Sequence, residues 1–194
     1  MTGISVSDFL KSDTIRTRSG FEDICINGIY RVDHFRSGEL IRHIECNNTV
    51  TTEGKRYLLN VGFLSLAAKA SWYIGIVDNA LTHAVPGTGL VYDTFFDGVN
   101  NTELVNYVGT AGQRKVWTKV IDVGGLPKIT NTASKAAFEF TSGAVVYGAA
   151  LVSNINQGNH VVGDYLMSYA AFTGGPITAI ATDVINVEIE LSFT

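Results

Sequence analysis

The residues able to do chemistry are few and scattered along the chain. His34 and His43 fall in two extended runs together with Glu45, and a hairpin presenting all three on one face would bring them within reach of a shared metal ion. The spacing is not distinctive, and two surface or interfacial histidines on a strand are the simpler reading. His83 and His160 sit in loop-like stretches with no acid or nucleophile beside them to form a catalytic relay, and no GxSxG elbow presents a serine. Asp93 and Asp97 flank Thr94-Phe95-Phe96, with Asp78 and Glu103 further off. Paired carboxylates can perform acid/base work or hold calcium, but the alternating oxygen ligands of a calcium loop are absent, so solvated loop acids are the simpler reading and a hydrolase has no constellation behind it. Pro86-Gly87-Thr88-Gly89 lacks the GK[ST] that follows a phosphate cradle and reads as a turn. Trp72, Tyr73, Trp117, Tyr147 and Phe172 could stack on sugars or bases, although aromatics at strand spacing more often fill a core. The expectation is a chain with no catalytic, metal or cofactor residues.

Composition points the same way. Of the 194 residues, 46% are hydrophobic and only 16% charged, against roughly 25% charged in an ordinary soluble domain. Uncharged polar residues must then solvate the surface, or other protein must cover it, and the second option is favoured. A net charge of -4 without clustered Lys and Arg argues against nucleic acid as a partner. Cys25 and Cys46 are too few for a disulfide framework. No run of about 18 apolar residues suits a membrane helix, and the N-terminus lacks a basic and apolar signal pattern, so a soluble protein with no membrane partner is expected.

The elements follow from periodicity. Residues 1–27 show no sustained period and read as an N-terminal arm; residues 28–194 read as one domain. Ile29 to Arg36 and Glu39 to Cys46 form a hairpin around Ser37-Gly38, placing Arg36 opposite Glu39 and Asp33 opposite Arg42. Thr51 to Val61 reads as the single helix, capped by a hydroxyl, with Glu53 in its first turn and Leu58, Val61 and Leu59 on one side, and an extension towards Ala68 is considered. Strands are expected at Trp72–Val77, Val116–Val120, Lys135–Phe140, Val145–Val152 and Tyr165–Phe172. At the C-terminus Ile185, Val187, Ile189, Leu191 and Phe193 alternate with Asn186, Glu188, Glu190 and Ser192. Asp78 to Arg114 reads as a long glycine-punctuated loop, at an intermolecular contact or projecting outward. Together these predict an all-β fold: an antiparallel β-sandwich, jelly-roll or immunoglobulin-like, with one short helix and an extended N-terminal arm. Its apolar edges and uncharged strand faces would be hidden by assembly.

Several segments, in order, resemble a group of small virion proteins of tailed bacteriophages. They are Asn48-Thr49-Val50-Thr51-Thr52-Glu53-Gly54 with Leu58-Leu59; Trp72-Tyr73-Ile74-Gly75; Asp93-Thr94, Glu103 and Tyr107; and Arg114 with Trp117. The longest block is Thr130-Asn131-Thr132-Ala133-Ser134-Lys135-Ala136-Ala137-Phe138, followed by Gly148-Ala149, Leu151 with Ser153, and Thr182-Asp183 where the group would have Gly-Asp. The resemblance spans about residues 47–194. It implies a non-enzymatic structural component of the virion, assembled in the host bacterial cytoplasm. The favoured form is a capsid cement or decoration protein that binds the outside of the shell. The implied partners are the major capsid protein and further copies of the chain, a trimer being favoured, with the arm of residues 1–27 laid across capsid subunits. A tail, collar or fibre-attachment component is the alternative within the virion. A carbohydrate-binding module using exposed Trp72 or Trp117 is the alternative outside it.

Overall fold

A computed structural model of the chain describes residues 26–78, 91–96, 101–122, 124–125, 127–158 and 163–193. Cys25, His83, Pro86-Gly87-Thr88-Gly89, Asp97 and His160 lie outside them, as does the arm up to residue 25. The arm's expected end at residue 27 moves back, because Ile26 and Asn27 already belong to the first strand, β1 (Ile26–Arg36), paired with Phe193 and Ser192.

β1 and β2 (Glu39–Val50) form the expected hairpin, with Arg36 opposite Glu39. Ser37 (φ 53) and Gly38 (φ 82) both occupy the left-handed region, as a two-residue turn matched to strand twist requires. The next pairing differs from expectation. Phe35 opposes Leu40 but His34 opposes Arg42, so Ile41 is an extra, bulged residue. Asp33 therefore faces His43 instead of Arg42, and every side chain beyond the bulge changes partner.

After the hairpin come the helix α1 (Thr52–Phe63), β3 (Tyr73–Val77), a four-residue helix α2 (Tyr92–Phe95), β4 (Lys115–Val116), β5 (Val120–Asp122) and β6 (Lys128–Thr130). A short 3-10 turn (Thr132–Ser134) leads to β7 (Ala136–Glu139), β8 (Ala144–Val146), β9 (Gly148–Val152), β10 (Leu166–Ala171), β11 (Ile177–Ala179) and β12 (Val184–Phe193). Hydrogen bonding runs in the order β4-β3-β9-β10-β2-β1-β12-β6-β5, every pair antiparallel, with β7 on the first part of β12 and β6 on the last. The weak candidate Val116–Val120 is in fact two strands at opposite ends of this order.

β2 joins two leaves. Most of its length pairs with β1, while Thr49 and Val50 pair with Tyr169 and Ser168 of β10. Tyr30, Val32, Ile44, Phe138, Ile185 and Val187 from one leaf share a single buried cluster with Ile74, Ile76, Ala149, Leu151 and Ala170 from the other. The Tyr30 hydroxyl spans the layers, 2.9 Å from Ser168 Oγ. The fold is all-β and sandwich-like, as the alternating patterns predict.

The β3-β9-β10 leaf is covered on its second face as well, which explains why all of β9 is buried. Tyr92, Phe95 and Phe96 pack there against Val77, Ala150, Val152, Leu166 and Tyr169. Of the segment from Asp78 to Arg114, expected at an intermolecular contact or projecting outward, Tyr92, Phe95 and Phe96 thus form a packed layer, whereas Val105 and Val108 are exposed. The single strand expected at Val145–Val152 divides at Tyr147, whose N–H donates to Val77 O (2.8 Å) and whose carbonyl accepts from Phe172 N (2.8 Å). β8 leaves the main sheet and pairs with β11.

α1 packs across β10. Thr51 Oγ1 accepts from Gly54 N–H at 2.9 Å and also donates to Leu166 O, so the cap ties helix to strand. A Cβ on Gly54 would lie 2.5 Å from Met167 O, so only glycine permits this approach. Leu58 and Val61 face the core, Leu59 does not, and the helix ends at Phe63 because Ser65 (φ 59) turns the chain away. Among the described residues no helix is long and apolar enough to cross a membrane.

Candidate functional site

The residues singled out for chemistry do not converge. Directly opposed residues share a sheet face, and the bulge puts His34 and His43 on opposite faces. His34 is buried with Nε2 2.8 Å from Asp183 Oδ2, whereas His43 is exposed with Nδ1 2.6 Å from Asp33 Oδ1. Glu45 binds Arg31 at 2.8 Å. The shared-metal geometry is therefore absent, and no metal-sized group of His, Cys, Asp and Glu occurs among the described residues. Asp93 is exposed on α2. Trp72, Trp117 and Phe172 are only 5%, 4% and 6% exposed, so these aromatics are core, and glycan stacking on an exposed Trp72 or Trp117 does not fit. Cys46 is a buried free thiol whose burial pushes its pKa up to about 11, which makes it unreactive.

The polar chemistry goes into holding the leaves together. Arg114 and Glu103, eleven positions apart and both buried, form a two-pronged pair at 2.6 and 2.8 Å. Arg114 also donates to Asn154 O (2.8 Å) and Tyr92 OH (3.1 Å), and its guanidinium lies 5.0 Å from the Phe96 ring. Removing either partner would strand a buried charge, at about 3–5 kcal/mol. This pair anchors the layer over β3, where Gly75 leaves the room: a Cβ there would meet Glu103 Oε1 at 2.9 Å.

Asp183 is the second anchor. It accepts from Arg36 Nη2 (2.8 Å), His34 Nε2 (2.8 Å) and Ile180 N–H (3.0 Å). Arg36 chiefly, with the Ile180 amide and His34, holds its carboxyl well below the usual range. The residue before it, Thr182, has φ 71, a conformation that favours glycine. Glu53 bonds the Leu166 N–H (2.7 Å) and the Tyr92 N–H (2.8 Å), joining α1, β10 and α2, while burial pushes its carboxyl upward. Seven of the residues that carry the phage-protein resemblance sit in or against these anchors: Thr51, Glu53, Gly54, Gly75, Glu103, Arg114 and Asp183.

The outer face of β1, β2 and β12 is ionic. Arg31 reaches Glu188 (2.8 Å) as well as Glu45, and Lys135 bridges Asp33 (2.9 Å) and Glu188 (3.2 Å). Burial alone would raise the Glu188 carboxyl, but Thr132, Arg31 and Lys135 bring it below its ordinary value. On this leaf the expected uncharged strand face is replaced by a network of charges.

Large apolar side chains are exposed at several places, among them Leu40 (53%) and Ile41 (49%) at the start of β2, and three further places stand out. The end of α1 exposes Leu59 (59%), Phe63 (81%) and Leu64 (73%). β5, an edge strand bonded only to β6, exposes Ile121 (70%). Val105, Val145 and Ile180 line an open groove of about 740 Å³ that also includes Asp78 and Asn106. Periodicity did not reveal these features: Phe63 and Leu64 sit at a helix end, and the groove joins three distant segments. Compared with models of known protein families, with curated proteins and with solved structures, the chain has no match.

Proposed function

We propose that the protein is a non-enzymatic structural component of a tailed-phage virion, a cement or decoration protein that binds the outside of the capsid shell as a homo-oligomer. One observation carries the assembling role. A chain with only 16% charged residues leaves large apolar side chains in water at several separate places, with Phe63 at 81% exposure, while many of its charges are paired on one sheet face and in buried anchors. Exposed apolar patches of this kind mark surfaces that other protein covers. The phage setting rests on the ordered segments from Asn48 to Asp183. The mechanism is linkage: a protein that binds only the assembled lattice stabilises that lattice by mass action, and an arm that orders on docking adds contacts at an entropic cost.

Sedimentation with heads prepared without the protein tests this. The full chain is expected to pellet with assembled heads, not with unassembled capsid subunits, and to raise the temperature at which heads rupture. A chain lacking residues 1–25, checked for retained circular dichroism, should attach poorly. Failure of the full chain to bind heads would overturn the assignment, and undiminished binding by the shortened chain would remove the arm's role.

A further inference from the structure

The apolar end of α1 and the groove beside Asp78 match in apolar character and are opposite in charge. On α1, Arg56 and Phe63 are seven residues apart, two turns along one face, with Leu59 between them. Lys55 and Arg56 are exposed, and their side chains form no hydrogen bond or ion pair among the described residues. The stripe is therefore a projecting aromatic and aliphatic tip with exposed cations behind it. The groove has the opposite character. Val105 (61%), Val145 (38%) and Ile180 (50%) line it, and its open volume of about 740 Å³ leaves room for a Phe and a Leu side chain. Asp78 at its margin has no side-chain partner among the described residues, and burial raises its carboxyl.

The two surfaces lie at opposite ends of β3. Trp72, just before the strand, packs edge-on against Tyr57 of α1 with centroids 5.2 Å apart, whereas Asp78 follows its last residue. Six residues of extended chain separate them by roughly 20 Å. A contact between tip and groove therefore joins different faces of two copies, head to tail, and such contacts close into rings when the rotation permits.

We propose that Phe63 and Leu64 of one copy seat in the groove of Val105, Val145 and Ile180 on a second copy, with Arg56 paired to the second copy's Asp78. This names the contact behind the homo-oligomer of the preceding section and rests on that reading. A head-to-tail contact has a distinctive signature. In Phe63→Asp every tip is spoiled, and in Val105→Asp every groove is spoiled, so each variant alone is a folded monomer. Mixed, the intact tip of Val105→Asp meets the intact groove of Phe63→Asp, and the mixture forms a one-to-one dimer that cannot grow.

The experiment is analytical ultracentrifugation of the full chain and these variants, with circular dichroism confirming the fold. The expected results are a closed wild-type oligomer, two monomeric variants and a finite heterodimer on mixing. Arg56→Asp or Asp78→Arg should each weaken association by at least about tenfold, and the double variant should recover most of it. Oligomers that persist in both apolar variants, or variants that do not recombine, overturn this contact while leaving self-association intact. A wild-type chain that stays monomeric up to roughly 100 µM, which means a Kd weaker than that order, overturns the homo-oligomer reading itself.

Discussion

Asn131 lets one strand change partners. β12 pairs with β7 from Val184 to Val187 and with β6 from Glu190 to Ser192, which leaves a gap between the two ladders. The Asn131 side chain fills it: Nδ2 donates to Val187 O (3.1 Å) and Oδ1 accepts from Ile189 N–H (2.7 Å). Its carboxamide serves as one residue's worth of strand, in a position with no exposure. Asn131→Ala leaves a buried carbonyl and a buried N–H unpaired. At about 1–3 kcal/mol each the loss is about 2–6 kcal/mol, and at about 2–4 °C per kcal/mol for a chain of this size Tm falls by about 4–24 °C. Asn131→Asp separates the two bonds. It keeps the acceptor for Ile189 but turns a carboxylate towards two carbonyls, Val187 O and Ser134 O, so its folded-state pKa lies above the ordinary carboxyl value. Its instability is then full at pH 7 and shrinks as pH falls towards about 4, where protonation restores a donor. Urea unfolding at pH 7 and pH 4.5 measures both effects. A stability for Asn131→Ala within about 0.5 kcal/mol of wild type would refute the reasoning, because surface substitutions alone vary that much.

The other predictions concern backbone fit and charge. Thr182→Gly relieves a left-handed β-branched residue (φ 71) and should raise stability by up to about 1 kcal/mol, seen as a higher urea midpoint at unchanged m. Gly54→Ala should destabilise α1 because the new Cβ meets Met167 O at 2.5 Å, while Gly62→Ala, with nothing within 4 Å, should stabilise by about 0.5–1 kcal/mol; thermal melts of the two variants should move in opposite directions. The Asp183 carboxyl is depressed by Arg36, so its stabilisation is present above the unfolded-state value near 3.9 and is lost as pH falls below it. Asp183→Asn should therefore be less stable than wild type at pH 7, and should lose less of its remaining stability between about pH 4 and pH 2. A wild-type slope retained in Asp183→Asn over that window would show that other carboxylates govern it.

Where a local rule acts on consecutive residues, the fold was legible. Ser37-Gly38 reads as a two-residue turn, which the structure forms with positive φ at both positions, and the alternation of the last ten residues marks the buried side of β12 from Ile185 to Leu191, with Phe193 exposed at its end. Glu188 escaped that pattern because its burial, at 3% exposure, comes from Arg31, Lys135 and Thr132 folding over the outer face, which no periodicity reports. The bulge at Ile41 was invisible for a similar reason: Leu40 and Ile41 are both apolar, and only pairing with Phe35 and His34 shows which is extra. α2 carries no helical period. Its order comes from Glu53, thirty-nine residues earlier, accepting the Tyr92 N–H, and from burial of its aromatics on β9 and β10. Residues chosen for possible chemistry, such as His34 and Glu103, instead anchor the fold with partners distant in sequence.

The most direct test of the structural role is a count of this chain in purified, intact phage particles by quantitative mass spectrometry, paired with a reconstruction of the particle. A cement protein predicts hundreds of copies, with density for the sandwich on the outer surface of the shell. Six or twelve copies confined to the tail would contradict the shell assignment, and absence from the particle would contradict the virion role altogether.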